Sequence, residues 1–402
     1  FNTIFEFDSE PYSPFDVLYL RQQVRGSLDF LPGFRNQVKC DLLFDPKNPN
    51  YSAAVDSGSS WRLNLDDSEF WKYFETSPDV CQSLKRFFPF FKKPLTTEEA
   101  EFPLAYGMLV YKDVRQLLYV LASFYQPQNS FCVAVDSNSN SVFKKQIQTL
   151  TKCFPNIFYH EARKVSYCGF GVTNAVVSCL KLLSNQKNPW KYYQYLSGVD
   201  LPLKTNLEMV RIFKVLNGTF NAEVYGTPPL PLWKSSLSAT FSRESADYIA
   251  KNFAIPGGFS AIQFYDRIMN ELYGPPKKSN FSDFSPELST SEFKLKSYYI
   301  SRFQVWDTKD ELGTGLVCNG SFVKKSCVYG IGDLPNLLSR PELVAHKFYI
   351  DLHPAAFFCF YERIRLRSLD IGLQSGFNAE IYSNLPQVQL SRGKNISEYY
   401  QQ

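Results

Sequence analysis

The sequence has no long hydrophobic run, no CxxC pair and no excess of charge of one sign. Its longest apolar stretches, LLYVLASFY and AAFFCFY, fall well short of the roughly 20 residues of a membrane-spanning helix. The missing CxxC spacing argues against a zinc site, and a net charge of only +4 with interspersed signs argues against binding to nucleic acid. Neither GxGxxG nor GxxxxGK(S/T) follows the first predicted strand, which excludes the dinucleotide-binding and P-loop classes.

An initiator methionine is also missing, because the chain begins at Phe1. We expect that a signal peptide or an N-terminal anchor has been removed. The nine dispersed cysteines are compatible with two compartments: a cytosolic protein would keep nine thiols, and a secretory protein would pair eight of them. Five sequons favour the secretory pathway and predict glycosylation at Asn50, Asn217, Asn280, Asn319 and Asn395.

From Phe102 onward, strand-length apolar runs alternate with segments of helical periodicity. The predicted strands are FPLAYGMLVY, SFCVAVD, NIFYH and WKYYQYLSG. The predicted helices between them are DVRQLLYVLASFY, VFKKQIQTLTKCF and VTNAVVSCLKLL. This alternation predicts an α/β fold with a Rossmann-like, mostly parallel sheet, in which a ligand binds at the carboxyl ends of the strands.

The regions on either side of this pattern are less regular. Residues 1–100 read as a wrapping N-terminal arm with short helices such as SEFWKYFE and VCQSLKRFF, residues 101–370 as the main domain, and residues 371–402 as a C-terminal tail. In the second half, YYISRFQVW reads as a strand, and VKKSCVYGIGDLPNLL as a strand, a tight turn and a helix with Asp333 as its N-cap. AAFFCFYERIRLRS reads as a final amphipathic helix.

Asp136 ends the second predicted strand, where two roles are open to it. A carboxylate at the carboxyl end of a parallel strand can accept hydrogen bonds from a nucleobase or a ribose. The alternative is a helix cap within the following SNSN segment.

Several segments resemble the core-2/I-branching family of β-1,6-N-acetylglucosaminyltransferases (glycosyltransferase family 14). The most specific is YLSGVDLPLKTNLEMVR, with its characteristic Gly-x-Asp-x-Pro-x-Lys-Thr-Asn-x-Glu order, and CNGSFVKKSCVYGIGDLPNLL and LVAHKFYIDL also match. The similarity covers about residues 100–370. It implies a GT-A-like glycosyltransferase fold in the lumenal part of a type II membrane protein of the Golgi.

The resemblance also implies a sugar-donor site that needs no metal cofactor. The usual metal-binding Asp-x-Asp is absent, since Asp136 is followed by Ser-Asn. Fixed cations would then neutralise the leaving diphosphate. In the family an Arg and a Lys take that role, and they fall here on Lys324 and Lys347, with Lys325 as an alternative to Lys324. A Lys at the Arg position keeps the charge but loses bidentate geometry. The uridine contacts carry over to Val110, Asp136 and Tyr167.

The family's disulfide pattern carries over to eight of the nine cysteines. The implied pairs are Cys40–Cys359, Cys81–Cys153, Cys132–Cys179 and Cys318–Cys327. Cys168 would be free, whereas the family's own free cysteine falls on Ser197. The first pair would clamp the N-terminal arm onto the predicted final helix.

The catalytic carboxylate of the family has no clear counterpart. An inverting transfer needs a base beside the acceptor hydroxyl, and the family supplies a Glu in a Pro-Asp-Glu segment after a Ser-Arg-Glu strand and a long helix. This chain has the strand at Ser242–Glu244. One alignment then places PGG on Pro-Asp-Glu, and the other, which we prefer, leaves the helix and the acidic loop absent. Asp266, Glu271 and Glu244 are weak substitutes, and for each a solvated surface charge is the alternative.

The acceptor side is altered as well, because the loop after NLEMVR is reduced to GTPPLPLW. The resemblance leaves Glu223 and Trp306 as acceptor contacts, and a core tryptophan is the alternative for Trp306. The leading hypothesis is a Golgi enzyme that transfers GlcNAc from UDP-GlcNAc to a glycan with inversion. The alternative is an inactive pseudoenzyme or a truncated splice form that binds the nucleotide or a glycan. Either form is compatible with a homodimer or a paralogue as partner, and the membrane is reached only through the removed anchor.

Overall fold

A computed structural model of the chain describes residues 12–166, 170–222, 224–227, 232–235, 237–252, 299–307 and 317–394. The helices are α1 Pro14–Asp29, α2 Phe34–Gln37, α3 Tyr51–Ser60, α4 Asp67–Glu75, α5 Val80–Phe87, α6 Thr97–Ala100, α7 Val114–Phe124, α8 Ser141–Cys153, α9 Phe170–Ser184, α10 Asn206–Leu216, α11 Arg243–Asn252, α12 Leu334–Leu338, α13 Pro354–Ser368, α14 Ile371–Ser375 and α15 Pro386–Ser391. The strands are β1 Leu104–Val110, β2 Ser130–Asp136, β3 Ile157–Ala162, β4 Tyr192–Ser197, β5 Asp200–Pro202, β6 Val224–Thr227, β7 Leu232–Ser235, β8 Thr240–Ser242, β9 Phe303–Gln304, β10 Ser321–Val323, β11 Ser326–Val328 and β12 Val344–His346. Three short 3-10 helices span Cys40–Phe44, Ile331–Asp333 and Ala379–Asn384.

The central sheet has the order β3-β2-β1-β4-β8. Its first four strands are parallel, and β8 is an antiparallel edge strand. Every residue of β2 is buried, which is what a continuous apolar run in a sheet covered on both faces requires. The predicted α/β fold with a mostly parallel sheet is confirmed, and it is consistent with a GT-A-like glycosyltransferase.

The helices between the strands begin at side-chain caps. Asp113 caps α7 by accepting a hydrogen bond from the Gln116 amide, and Asn140 caps α8 by accepting one from the Phe143 amide. These caps fix where each crossover leaves the sheet. Because Asn140 caps α8, the alternative role of Asp136 as a helix cap is not realised.

The N-terminal arm packs into the same hydrophobic core as the sheet. Phe34 and Phe358 of α13 lie with ring centroids 5.9 Å apart, and Arg35 forms a 2.8 Å ion pair with Glu362. The four disulfides have the predicted pairing: Cys40–Cys359, Cys81–Cys153, Cys132–Cys179 and Cys318–Cys327. The first two join the arm to α13 and to α8. Cys168 lies outside the described residues.

The C-terminal region differs from expectation in two ways. Helix α13 was expected to be final and amphipathic, but it is buried on nearly all sides, because the arm covers its outer face. Arg365 of this helix is buried and donates hydrogen bonds to the Ala122 and Pro89 carbonyls. Residues beyond 370 continue as α14 and α15, and Tyr382, Leu385 and Val388 lie in the main core.

Three expectations for shorter elements are also corrected. The predicted strand Ser242–Glu244 ends at Ser242, and Arg243 begins α11. Of YYISRFQVW, the described residues 299–306 contain the two-residue strand β9 and an isolated bridge from Trp306 to Ser326. Asp333 precedes α12 but makes no capping bond; its carboxylate accepts from the Asn319 and Gly330 amides instead.

Candidate sugar-donor site

The carboxyl ends of β1, β2 and β4, which we call the carboxyl edge, bring the first two predicted uridine contacts together. Val110 ends β1 and pairs with Val135, directly before Asp136. Both Val110 and Asp136 are buried. The Oδ1 atom of Asp136 accepts hydrogen bonds from the Asn138 amide at 2.9 Å and the Val165 amide at 3.3 Å. The carboxylate is therefore oriented by the loop behind it.

Gly198 allows β4 to approach Val110 closely. Ser197, the last residue of β4, pairs with Leu109, and Gly198 follows. A Cβ on Gly198 would lie 3.1 Å from Cγ1 of Val110, closer than such atoms normally come. The absence of a side chain keeps the end of β1 open beside β4.

A small sheet in the order β5-β12-β9 carries Lys347 to this edge. Asp200 of β5 pairs with His346 of β12, so Lys347 directly follows a residue that is held against the end of β4. The amide of Phe348 donates to the Val199 carbonyl at 2.9 Å. Gln116 of α7 donates to the Phe348 carbonyl at 2.9 Å and accepts from the Ile350 amide at 3.1 Å. The backbone of Lys347 is therefore held by contacts of the residues that precede and follow it.

Lys324 and Lys325 form the turn of the β10–β11 hairpin. Both have positive φ angles, 51° and 64°, as the two central residues of a type I′ turn require. This backbone region normally selects Gly or Asn, so two lysines here are strained. Strained backbone positions of this kind cluster at functional sites.

The hairpin and Lys347 are in direct contact. The Nζ atom of Lys347 donates a hydrogen bond to the Val323 carbonyl at 2.9 Å. Burial and the neighbouring charge of Lys324 both lower the pKa of Lys347. Two cations thus face one another, and among the residues that the structure describes no carboxylate forms an ion pair with Lys347. An anionic group placed between them would relieve the repulsion.

Trp306 lies next to the same turn. It bridges to Ser326, and the amide of the following Asp307 donates to the Lys325 carbonyl at 2.7 Å. Its side chain is 48 % exposed, so the alternative of a core tryptophan is not what the structure shows. An exposed indole beside a cationic turn provides a flat apolar surface on which a sugar ring can stack.

The other predicted site residues are not brought to this edge by the described structure. Glu244 is exposed on α11, just after Ser242, which pairs with Tyr192 at the amino end of β4. It therefore lies at the opposite edge of the sheet from Asp136 and Lys347. Tyr167, Glu223, Asp266 and Glu271 lie outside the described residues, as do the sequons at Asn280 and Asn395.

One group of metal-ligand residue types occurs in the described part of the chain, formed by Cys318, Cys327 and Asp333. The two sulfurs are joined in a disulfide, and Asp333 accepts hydrogen bonds from three N–H groups of Asn319 and Gly330. A disulfide sulfur offers no thiolate to a metal. This group is therefore a structural link that closes the loop carrying Lys324 and Lys325.

Sequence reasoning assigned no role to Asp200 and His346, the residues that join the edge to Lys347. Asp200 is fully buried, and its carboxylate accepts bonds from the Ser197 amide at 2.7 Å, the Ser197 hydroxyl at 2.8 Å and Nδ1 of His346 at 2.7 Å. Burial alone would raise the pKa of Asp200, but these donors and Arg302 hold it below its ordinary value. Burial and the positive charge of Arg302 lower the pKa of His346.

The remaining motif residues support the fold at the far end of β5. Thr205 and Glu208 form a capping box at the start of α10, and Glu208 pairs with Arg367. Lys204 donates to the Arg340 carbonyl, and Asn206 donates to Glu99 at 2.8 Å. We call Lys204, Thr205, Asn206 and Glu208 the motif cluster. Of the motif's polar side chains, that of Asp200 is the one placed at the carboxyl edge.

Comparison with known proteins finds a family model that matches part of the chain. Residues 104–235 match the sequence model described as "Core-2/I-Branching enzyme". This part of the chain is therefore similar to core-2/I-branching enzymes. The matched segment runs from β1 through β7 and so includes the ends of β1, β2 and β4.

Curated relatives extend the similarity well beyond that segment. A human protein named probable beta-1,3-galactosyl-O-glycosyl-glycoprotein beta-1,6-N-acetylglucosaminyltransferase 7 is 27 % identical over 88 % of this chain and 90 % of its own length. A human beta-1,3-galactosyl-O-glycosyl-glycoprotein beta-1,6-N-acetylglucosaminyltransferase is 28 % identical over 74 % of this chain and 78 % of its own. A mouse protein named beta-1,3-galactosyl-O-glycosyl-glycoprotein beta-1,6-N-acetylglucosaminyltransferase 3 is 28 % identical over 72 % of this chain and 74 % of its own length. These relatives support a glycosyltransferase, which implies a nucleotide-sugar donor and a glycan acceptor.

The resemblance inferred from the motifs is therefore confirmed at the level of family and enzyme class. Glycosyltransferases of this kind typically belong to the secretory pathway, and the four disulfides agree with an oxidising compartment. Among the described helices, none combines the length and the apolar character needed to cross a bilayer.

Proposed function

We propose that this chain transfers GlcNAc from UDP-GlcNAc to a glycan acceptor, with inversion and without a metal ion, in the Golgi lumen. The observation that carries the proposal is the pair of facing cations, Lys347 and Lys324, beside the carboxyl edge of a parallel sheet. Ligands of such sheets bind at this edge. A site that assembles positive charge there, on a strained turn, suits a diphosphate.

The donor site divides into two halves in this proposal. Val110 and Asp136 receive the uridine, since a buried valine offers an apolar wall and the Asp136 carboxylate accepts hydrogen bonds. Lys324 and Lys347 receive the diphosphate. Lys325, the second residue of the turn, is the alternative partner of the phosphate oxygens.

The lysines carry out the electrostatic part of the reaction. As the acceptor hydroxyl attacks the anomeric carbon, the bond to UDP breaks and negative charge accumulates on the departing diphosphate. Ammonium groups fixed at that point stabilise this charge more in the transition state than in the ground state. Diphosphate binding also removes the repulsion between Lys324 and Lys347.

The base that accepts the hydroxyl proton is left to Asp266 or Glu271, which lie outside the described residues. Glu244 is not proposed, because it lies at the opposite edge of the sheet from the lysines. On the acceptor side, Trp306 provides the stacking surface and Glu223 a hydrogen-bonding group. The shared printed name of the relatives makes a β-1,3-galactosyl O-glycan the first acceptor to test.

We infer a lumenal domain of a type II membrane protein, carried by an anchor that precedes this chain. Disulfides that tie the arm to α13 and α8, together with sequons at Asn50 and Asn217, support such a compartment. Expression with its natural leader and a digestion that removes N-glycans test this inference. A protein whose mobility is unchanged by the digestion would contradict it.

The decisive experiment measures transfer from UDP-GlcNAc to a panel of glycan acceptors in the presence of EDTA, with UDP binding measured by calorimetry. We expect EDTA-resistant transfer in the wild type and loss of UDP binding in Lys347→Met. The exposed Lys47, changed to Met, is the matched control and should leave both unchanged. Transfer abolished by EDTA would refute metal independence.

UDP binding without transfer to any acceptor would instead favour the pseudoenzyme or truncated form. Comparing the transcript around Asn252–Pro256 with genomic sequence then separates these two cases. Sedimentation of the same preparation tests the expected association with a second copy, and co-expression tests a paralogue.

A further inference from the structure

We propose that Asp200 and His346 form a positioning pair that locks the diphosphate half of the sugar-donor site to the uridine half. The inference rests on the proposed function, because it assigns the pair a role in holding that donor. Neither side chain need touch the reacting atoms. Their task is to fix the separation between the carboxyl edge and Lys347.

The geometry places the pair at the junction of the two halves. Asp200 and His346 lie directly opposite each other in the β5–β12 pair. One oxygen of Asp200 accepts from the Ser197 amide, and the other accepts from the Ser197 hydroxyl and from Nδ1 of His346. One buried carboxylate therefore binds the end of β4 and the last residue of β12.

Each end of this link adjoins a predicted ligand contact. Ser197 is followed by Gly198, which packs against Val110 on the uridine side. His346 is followed by Lys347 on the diphosphate side. The uridine half and the diphosphate half are thus connected by three hydrogen bonds to the carboxylate of Asp200.

The chemistry of the pair defines its protonation state. An ionised carboxylate only accepts hydrogen bonds, so Nδ1 of His346 must carry the proton that it shares with Asp200. The positive charge of Arg302 and the burial of the ring disfavour a second proton on the imidazole. His346 is then neutral, with its tautomer and ring orientation set by Asp200, and adds no further positive charge beside Lys347.

Rigidity is what such a link contributes to binding. Lys347 faces Lys324 across a hairpin turn, and this repulsion tends to displace Lys347 within the diphosphate half. A displacement of about 1 Å in a positioning element can lower activity roughly 100-fold. The charged hydrogen bonds at Asp200 oppose that displacement in the unliganded protein, so the site is organised before UDP-sugar binds.

Three variants test the pair, with UDP affinity measured by calorimetry and the kinetics of transfer from UDP-GlcNAc measured in parallel. Asp200→Asn replaces an acceptor oxygen with an amide donor, and His346→Leu removes the Nδ1 donor. We expect both to weaken UDP binding by about tenfold and to raise KM for UDP-GlcNAc by a similar factor, with kcat lowered less. His346→Asn restores an N–H donor near the Nδ1 position and should bind UDP within about threefold of wild type.

Glu208→Gln is the matched control, since it makes the same chemical change at an equally buried carboxylate in the motif cluster. It should lower the melting temperature without changing the UDP affinity of the folded protein. If Asp200→Asn fails to fold, the difference in UDP affinity between His346→Leu and His346→Asn still tests the role of the pair. Wild-type UDP affinity in His346→Leu, or equal losses in His346→Leu and His346→Asn, would overturn the proposal.

The outcomes separate this inference from the proposed function. If the folded wild type binds no UDP, the proposed donor site does not exist, and both the proposed function and the role of the Asp200–His346 pair are refuted. A wild type that binds UDP but transfers no sugar refutes the transfer reaction alone, because the comparison of UDP affinities among the variants still tests the pair. Transfer by the wild type with unchanged UDP affinity in Asp200→Asn and His346→Leu refutes the pair alone.

Discussion

The carboxyl edge and the motif cluster each bury a lysine, but the two lysines have opposite surroundings. Lys204 of the motif cluster lies near the carboxylates of Glu208 and Glu342, and its ammonium group donates to the Arg340 carbonyl. Lys347 has a carbonyl partner too, yet the charge that faces it is Lys324. Lys204 thus lies near carboxylates of the fold, whereas the nearby charge that affects Lys347 is a second ammonium group.

This difference shows that the most recognisable motif and the site are largely separate. The Gly-x-Asp-x-Pro-x-Lys-Thr-Asn-x-Glu segment carries the resemblance to the core-2/I-branching family, but four of its residues support α10 and its neighbours. The lysines of the site come from short elements late in the chain. Asp200 belongs to the motif and also lies at the candidate site, because it begins β5 and its carboxylate accepts a hydrogen bond from the Ser197 amide.

The largest expected effects come from one substitution in each region. Glu208→Gln leaves Arg367 without its buried partner and should lower the free energy of unfolding by about 3 kcal/mol, with UDP affinity unchanged. Lys347→Met should keep the free energy of unfolding within about 1 kcal/mol of wild type, because losing a repelled buried charge offsets the lost hydrogen bond. Its UDP affinity should fall by at least about tenfold.

Urea unfolding and calorimetry with UDP measure the two quantities on the same preparations. The comparison between the regions fails if Glu208→Gln weakens UDP binding of the folded protein, or if Lys347→Met unfolds as readily as Glu208→Gln.

A second prediction uses Glu99, which accepts a hydrogen bond from Asn206 of the motif cluster. Burial raises the pKa of Glu99 to about 7. The folded protein keeps this proton up to about pH 7, whereas the unfolded chain releases it near pH 4.5, the ordinary value for Glu. The stabilisation is therefore complete below about pH 4.5 and is lost as pH rises to about 7, an effect of about 3 kcal/mol.

Glu99→Gln should remove that part of the decrease in stability between pH 5 and pH 8, measured by urea unfolding at each pH. The adjacent Glu98 is the control. Burial alone would raise its pKa, but ion pairs with Lys214 and Arg211 hold it below the ordinary value. Its stabilisation is lost only at lower pH, so Glu98→Gln should lower stability equally at pH 5 and pH 8. A Glu99→Gln variant that retains the full pH dependence would contradict the assignment.

The sheet could be predicted because its strands are recognisable from local sequence patterns. β1 and β2 are apolar over most of their seven residues, β3 and β4 begin with apolar or aromatic residues, and parallel pairing then places Val110 and Asp136 side by side. The disulfides followed from the resemblance. Helix α13 was expected to be amphipathic, but even its Arg365 and Glu362 side chains are buried, and each bonds within the protein.

The candidate site could be predicted only in part, because its connections are not local. Asp200 and His346 are 146 residues apart and lie on strands of three residues, too short to show a periodic pattern. The two lysines of the hairpin were recognised as residues, but their positive φ angles depend on the register between β10 and β11. Contacts of this kind follow from tertiary pairing rather than from composition.

The smallest expected effect distinguishes the two residues of the lysine turn. Lys324→Gly and Lys325→Gly each place glycine where φ is positive, and each should raise the free energy of unfolding by about 1 kcal/mol. UDP affinity should separate them. Lys324 acts directly on the pKa of Lys347, so Lys324→Gly should weaken UDP binding by about tenfold and Lys325→Gly by less than about threefold. The reverse order would assign the phosphate contact to Lys325, and a gain in stability without any loss of affinity in either variant would remove the strained turn from the donor site.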